Sequence, residues 1–218
     1  MWGRAAICIV AGAAAAVVWY LFFLRYNRRQ GERAVARIQA ALAGTGQIVA
    51  VRWLGPSIFQ IALRLGTGLF QHPGLMVRLA PRHNPVRWLR QWWRHEPATI
   101  TFDADFDNPP GFDLQVGQQR WCGRTSKRFS PDPEHWEFEQ MTPLILTSRQ
   151  SWQREVTGMM NALLSCRDRE VLSLGFRRTS PHFSATINLE GISPEGRAGA
   201  NVFDTLRDLA AGASASRL

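Results

Sequence analysis

The longest uninterrupted apolar run lies at the start of the chain. Ala5 to Leu24 reads AAICIVAGAAAAVVWYLFFL, twenty residues without a charge. At about 1.5 Å rise per residue, a helix of this length matches the ~30 Å hydrocarbon core of a bilayer. Trp19 and Tyr20 stand near one end, where amphipathic rings favour the lipid–water interface. Arg4 precedes the run, whereas Arg25, Arg28, Arg29, Arg33 and Arg37 follow it. That asymmetry predicts a short N-terminus outside and the body in the cytoplasm. A cleaved signal peptide is the rival reading. The run is longer than a usual signal core, and FFLRYNRRQ offers no small-x-small cleavage site, so a retained anchor is expected.

After the run the pattern changes to a helical period. Ala34, Val35, Ile38, Ala41 and Leu42 share one face, Arg33 and Arg37 the other, and Gly44 and Gly46 end the helix. This helix is expected to continue from the anchor through a basic junction. Alternation then predicts strands at Gln47–Leu54 and Ile58–Leu65, joined by Gly55-Pro56-Ser57. Gly66–Gly74 reads as a loop and Leu75–Leu79 as a third strand. Asn84-Pro85 forms an N-cap with proline at the first helical position, and Glu96-Pro97 stops the helix between them. Ile100, Phe102, Ala104 and Phe106 alternate with Thr99, Thr101, Asp103 and Asp105, and a returning arm from Phe112 to Val116 predicts a hairpin.

Residues 118–133 read as a polar loop. Trp136 and Phe138 suggest a short strand with Leu144–Leu146 near it. Ser148 can cap a helix carrying Trp152, Val156, Met159, Met160 and Leu163 on one stripe. Val171–Phe176 and Phe183–Leu189 form a second hairpin, and Asn201 can cap a last helix with Val202, Phe203, Leu206 and Leu209. The expected fold class is α+β: an N-terminal transmembrane helix, then a mainly antiparallel sheet with helices packed on one face. The expected organisation is an anchor and junction over 1–29, a cytoplasmic domain over 30–211, and a disordered tail over 212–218. The architecture resembles that of single-span bacterial proteins with a small cytoplasmic α+β domain. The likeness assigns no site residues.

Composition narrows the function. The chain has 218 residues and a formal net charge of +9, which favours anionic neighbours. Cys8, Cys122 and Cys166 are scattered without a CxxC pair, so reduced thiols are expected and neither a disulfide framework nor a zinc ribbon is indicated. No phosphate-binding loop, GxSxG or HExxH is present. His72, His83, His95, His135 and His182 stand far apart. Asp103, Asp105 and Asp107 fall at period two, with Asp113 on the returning arm, and such oxygens can hold calcium or magnesium. The calcium-loop pattern fails at Asn108 and Leu114, so no metal and no cofactor is assigned. Glu134, Glu137 and Glu139 beside His135 form a carboxylate group too common to signify catalysis.

The segment PRHNPVRWLRQWWRHEP, from Pro81 to Pro97, is the main candidate. Val86, Trp88, Leu89, Trp92 and Trp93 gather on one side, with Arg87, Arg90, Gln91 and Arg94 on the other. Such a helix packs on the sheet, lies on a bilayer surface, or meets a protein partner. Membrane-surface contact through Arg87, Trp88, Arg90, Trp92, Trp93 and Arg94 is the expectation to be tested. Nucleic acid is disfavoured, because the basic residues are dispersed and no recognition motif accompanies them. The leading functional expectation is a single-pass anchored cytoplasmic domain that binds a partner protein or the inner leaflet. The alternative is a tethered enzyme with a site assembled from His135, His182, Cys122 or the aspartates.

Overall fold

The computed structural model describes residues 2–66, 70–107, 109–110, 113–118, 137–141, 144–148 and 171–191. The expected helices after Ser148 and Asn201, and the tail, lie outside them.

Helix α1 runs unbroken from Trp2 to Ala41. It is long and apolar enough to cross a membrane, and its most apolar stretch is not buried by the rest of the chain. Its second half is an element of the domain. Asn27, Gly31, Ala34, Ile38 and Leu42 form a buried stripe at four- and three-residue spacing, the spacing of one helical face. Arg33 and Arg37 face solvent, as the pattern requires. Gly44 ends the helix with φ of +90°, a conformation that glycine adopts without a Cβ penalty. Gly46 N and Thr45 Oγ1 donate to the Leu42 carbonyl at 3.1 and 3.2 Å. The helix therefore leaves its apolar span and enters the fold with no linker between.

Among the described residues, nine antiparallel strands form one sheet in the order β1-β2-β3-β4-β9-β8-β5-β7-β6. They are β1 (Gly46–Gly55), β2 (Ile58–Leu65), β3 (Phe70–Arg78), β4 (Thr99–Phe106), β5 (Leu114–Gln118), β6 (Glu137–Met141), β7 (Leu144–Ser148), β8 (Val171–Phe176) and β9 (Phe183–Asn188). A short helix, α2 (Pro85–Trp93), connects β3 to β4. One sheet face is apolar: Phe59, Ile61, Leu75, Val77, Ile100, Phe102, Leu174, Phe183 and Ile187 are buried in one cluster with Ala34, Ile38 and Leu42 of α1. The α+β class follows from these elements.

Three expectations are corrected. The anticipated hairpin of β4 with the Phe112–Val116 arm does not form. β4 pairs with β3 and β9, whereas β5 pairs with β7 and β8. The β8–β9 hairpin inserts between β4 and β5, and Phe183, Ala185 and Ile187 meet Ala104, Phe102 and Ile100 in register. This match extends the apolar face across the sheet, a gain the local alternation of β4 and the Phe112–Val116 arm could not express. Second, β3 begins at Phe70, within the expected loop. An irregularity between Gln71 and Gly74 accommodates His72, at φ of +49°, and Pro73, which has no N–H for the ladder. Third, the two described helices, α1 and α2, do not share one sheet face. The second half of α1 covers the apolar face, while α2 buries none of its residues.

Candidate functional site

α2 forms where its caps dictate. The Asn84 Oδ1 accepts from Arg87 N at 3.1 Å, and Pro85 takes the first helical position. At the other end His95 adopts φ of +47° and the Gln91 Nε2 donates to the Glu96 carbonyl at 3.0 Å, before Pro97. The helix is short, strongly amphipathic and oriented against the usual sense. Its apolar residues point outward: Val86 is 76% exposed, Leu89 49%, Trp92 61% and Trp93 76%. Of Trp88, Leu89 and Trp92, which packing on the sheet would bury with the arginines left in water, only Trp88 is partly covered, and Leu89 and Trp92 are exposed. Trp88 and Gln91 are half-buried, and Arg87, Arg90 and Arg94 are exposed.

The segment leading into α2 sits against α1 at the end of the apolar run. The Trp19 indole N–H donates to the Arg82 carbonyl at 3.1 Å. The Arg82 guanidinium lies 4.8 Å from the centroid of the Tyr26 ring. The His83 ring meets Tyr20 edge-on at 6.1 Å. Burial, assisted by repulsion from Arg87, holds the His83 imidazole below its ordinary pKa, so the neutral ring is favoured. Asn27 of α1 donates to the Pro56 carbonyl at 3.3 Å, and Leu79 N donates to the Ser57 carbonyl at 2.8 Å. These bonds tie α1, the β1–β2 turn and the end of β3 into one corner, and α2 projects from that corner. The sequence pointed to the segment holding Arg82 and His83 and, separately, to Trp19 at the interface, but not to their meeting. Their contacts join residues more than fifty positions apart, which no local pattern reports.

The aspartates and His182 are brought together in part. Asp105 Oδ2 accepts from Ser180 Oγ at 3.0 Å, and Asp105 Oδ1 accepts from His182 N at 3.2 Å. His182 Nδ1 accepts from Phe106 N at 3.1 Å. That nitrogen is therefore unprotonated, and its 3.6 Å approach to Asp105 is not a hydrogen bond. A nucleophilic triad needs serine on the imidazole and the imidazole donating to the carboxylate. Here serine binds the carboxylate directly, and the three groups tie down the β8–β9 turn. Asp107 accepts from Gln71 Nε2 at 2.6 Å, and Asp113 accepts from Arg178 N at 2.9 Å. The aspartates are thus distributed among turn contacts. Among the described residues no group of three metal-ligating side chains converges. Cys122, Cys166 and His135 lie outside the described residues.

The sheet face opposite the core carries a row of polar side chains and holds a cavity of about 750 Å³, in whose lining Ile58, Met76, Leu79 and three prolines stand beside the polar groups. Its floor is a cross-strand grid. Arg78 pairs with Thr99, Met76 with Thr101, Thr101 with Thr186, Asp103 with Ser184, and Ser173 with Thr186. The Thr101 and Thr186 hydroxyls lie 3.2 Å apart. Arg87 and Gln91 of α2, with Glu96, close one side, and Arg177 stands at the exit of β8. Desolvation lowers the Arg177 pKa against the pull of Asp103 and Asp113. No protein-family model matches the chain, and no curated protein matches its sequence.

Proposed function

We propose that this protein is a single-pass membrane protein whose cytoplasmic α+β domain lies directly on the inner leaflet, held by α1 and by a second contact through α2. The observation that carries the reading is the bond from the Trp19 indole to the Arg82 carbonyl. If α1 crosses the bilayer, Trp19 lies at the inner interface, about 7.5 Å before the end of the apolar run at Leu24. Trp2 then falls about 25 Å away along the helix, suitable for the outer interface. On this reading the segment bonded to Trp19 lies near the inner boundary of the bilayer, and α2 follows it within a few residues.

The amphipathicity of α2 suits that position. Val86, Leu89, Trp92 and Trp93 would enter the interface, with Arg90 and Arg94 near the phosphates. Full burial of each large apolar side chain is worth ~1.5–3 kcal/mol, and each arginine beside an anionic leaflet adds about 1 kcal/mol. Partial insertion of these groups suffices, because α1 already removes most of the translational cost of the second contact. The head group of a phospholipid, not a protein partner, is favoured by continuity with the anchor and by the flanking arginines.

The test uses the full chain in nanodiscs containing anionic lipid, in a background without the three native cysteines. Spin labels at Leu89→Cys and Trp93→Cys should be shielded from a water-soluble relaxant and accessible to oxygen. A label at Arg37→Cys should show the reverse. Equal exposure of all three labels to the aqueous relaxant would reject the α2 contact. Protection of Arg37→Cys labels from a membrane-impermeant reagent in inside-intact cells, and their exposure in inverted vesicles, tests the orientation.

A further inference from the structure

We infer that the cavity between α2 and the sheet binds a phosphodiester whose alcohol carries free hydroxyls, the polar groups of its lining meeting the head and the apolar ones its carbon skeleton. The first argument is charge. Three guanidinium groups, Arg78, Arg87 and Arg177, reach the cavity from three separate elements, against two carboxylates, Glu96 and Asp103. Among the described lining residues the guanidinium groups exceed the carboxylates by one, an excess that suits a phosphodiester with its single negative charge. Arg78, Arg177, Glu96 and Asp103 each already engage partners within the protein. A guanidinium offers paired N–H groups to phosphate oxygens, and Arg87 is the exposed one of the three.

The second argument is the floor. Thr99 and Ser173 are buried, and Thr101 and Thr186 stand between them with hydroxyls in mutual hydrogen-bond contact. Hydroxyl groups both donate and accept, so a row of them suits a polyol, and carboxylates at its edge accept from the same ligand. A buried hydroxyl row is costly unless its hydrogen bonds are completed. A ligand with hydroxyls of its own can extend this row, and among the described lining residues no aromatic ring is present to stack on a base. The volume lies within the ordinary range for small-molecule sites.

The third argument is location. Pro81 and Arg87 belong to the cavity lining, and Arg82 and His83 between them contact Tyr20 and Trp19 of α1. On the proposed membrane reading, the cavity rim is at the level of the lipid phosphates. A glycerol-bearing phospholipid head group and a soluble glycerophosphodiester share the required chemistry, and the experiment separates them.

Full-length protein in phosphatidylcholine nanodiscs is titrated calorimetrically with soluble glycerophosphoglycerol. Saturable binding is expected. Arg87→Gln, which removes an exposed side chain and leaves folding intact, should weaken it about tenfold, the scale of one charge-assisted hydrogen bond. Thr101→Val, which keeps side-chain shape but removes a hydroxyl, should weaken it about fivefold. Arg52→Gln removes the same charge outside the cavity and should leave the affinity unchanged, with equal melting temperatures confirming all three folds. The titration is repeated in nanodiscs of phosphatidylglycerol and, at equal charge, phosphatidylserine. Weaker apparent binding in phosphatidylglycerol alone assigns the membrane lipid as ligand, and equal binding in both assigns a soluble diester. Absence of saturable binding, or equal loss in Arg87→Gln and Arg52→Gln, overturns the proposal. Because the first titration needs no α2 insertion, its result is independent of the spin-label test.

Discussion

The attachment of α1 to the sheet depends on a missing side chain. Gly31 is buried, and a methyl group on it would lie 2.6 Å from Trp53 Cη2, 2.8 Å from Trp53 Cζ2 and 3.3 Å from Phe59 Cε1. The Trp53 ring is not free to withdraw. It packs on Phe59 at 4.8 Å between centroids, with the Arg28 guanidinium 5.2 Å above it. Gly31→Ala brings two opposed effects. Alanine in a helix interior is favoured over glycine by about 1 kcal/mol, whereas overpacking a well-filled site costs about 1–3 kcal/mol. The steric effect wins while the indole is present, so Gly31→Ala should destabilise the domain by about 1 kcal/mol. Trp53→Leu removes the two carbons in conflict. In that background Gly31→Ala should stabilise by about 1 kcal/mol, giving a coupling near ~2 kcal/mol. Urea unfolding of the four variants in detergent, followed by the sheet signal in circular dichroism, measures this cycle. A Gly31→Ala effect of the same sign and size in both backgrounds would refute the close approach of α1 to β1.

Three further outcomes follow from the same contacts. Phe102 is buried beneath Phe70 and Phe183, at 5.4 and 5.9 Å, so Phe102→Ala should cost about 3–5 kcal/mol in urea unfolding. Asn84→Ala removes the cap of α2, costing about 1 kcal/mol locally. Amide exchange at Arg87 should then accelerate about fivefold, while the global unfolding midpoint stays unchanged. His83 has a depressed pKa from burial and from Arg87, so the unfolded state binds the proton more readily. Its contribution is complete above the ordinary imidazole pKa and is lost as pH falls through the folded value. The melting temperature of the wild type should therefore fall more between about pH 7.5 and 5.5 than that of His83→Gln.

The elements with strong local signals were legible in the sequence. Gly44, Asn84-Pro85 and the Thr99–Phe106 alternation each encode their structure in a few neighbouring residues. The helix of Ala34, Ile38 and Leu42 was readable as a face, and the structure extends that face back to Gly31 and Asn27, where a small residue and a polar one interrupt the apolar code. The pairing of β4 was not legible, because β4 and β5 present compatible patterns and only the competing match with β9 decides. The orientation of α2 was also hidden. Its periodicity is that of any amphipathic helix, and nothing local says whether the apolar side meets a sheet or leaves it. The cavity assembles Arg78, Thr101, Thr186 and Arg177 from four segments spanning about half the chain, so single-segment spacing carried no trace of it.

The polarity of α2 becomes intelligible when both of its surroundings are considered together. Gln91 and Arg87 border a hydroxylated sheet face, where polar groups find partners. The opposite side then has to be apolar or the helix would lack amphipathicity, yet an apolar side facing water is unfavourable. A third environment resolves the conflict only if it is apolar and adjacent. A protein partner could supply it at any place on the surface. The bilayer can supply it only at one height along α1, and on the proposed membrane reading the bond from the Trp19 indole to Arg82 holds the entry to α2 at that height. Moving α1 relative to the domain should therefore break the contact. Deleting one helical turn before Trp19 shortens the span and draws the domain toward the bilayer, whereas inserting a turn between Leu24 and Asn27 separates Trp19 from Arg82. The insertion should expose labels at Leu89→Cys and Trp93→Cys to the aqueous relaxant, and a docking site for a protein partner would leave them as shielded as before.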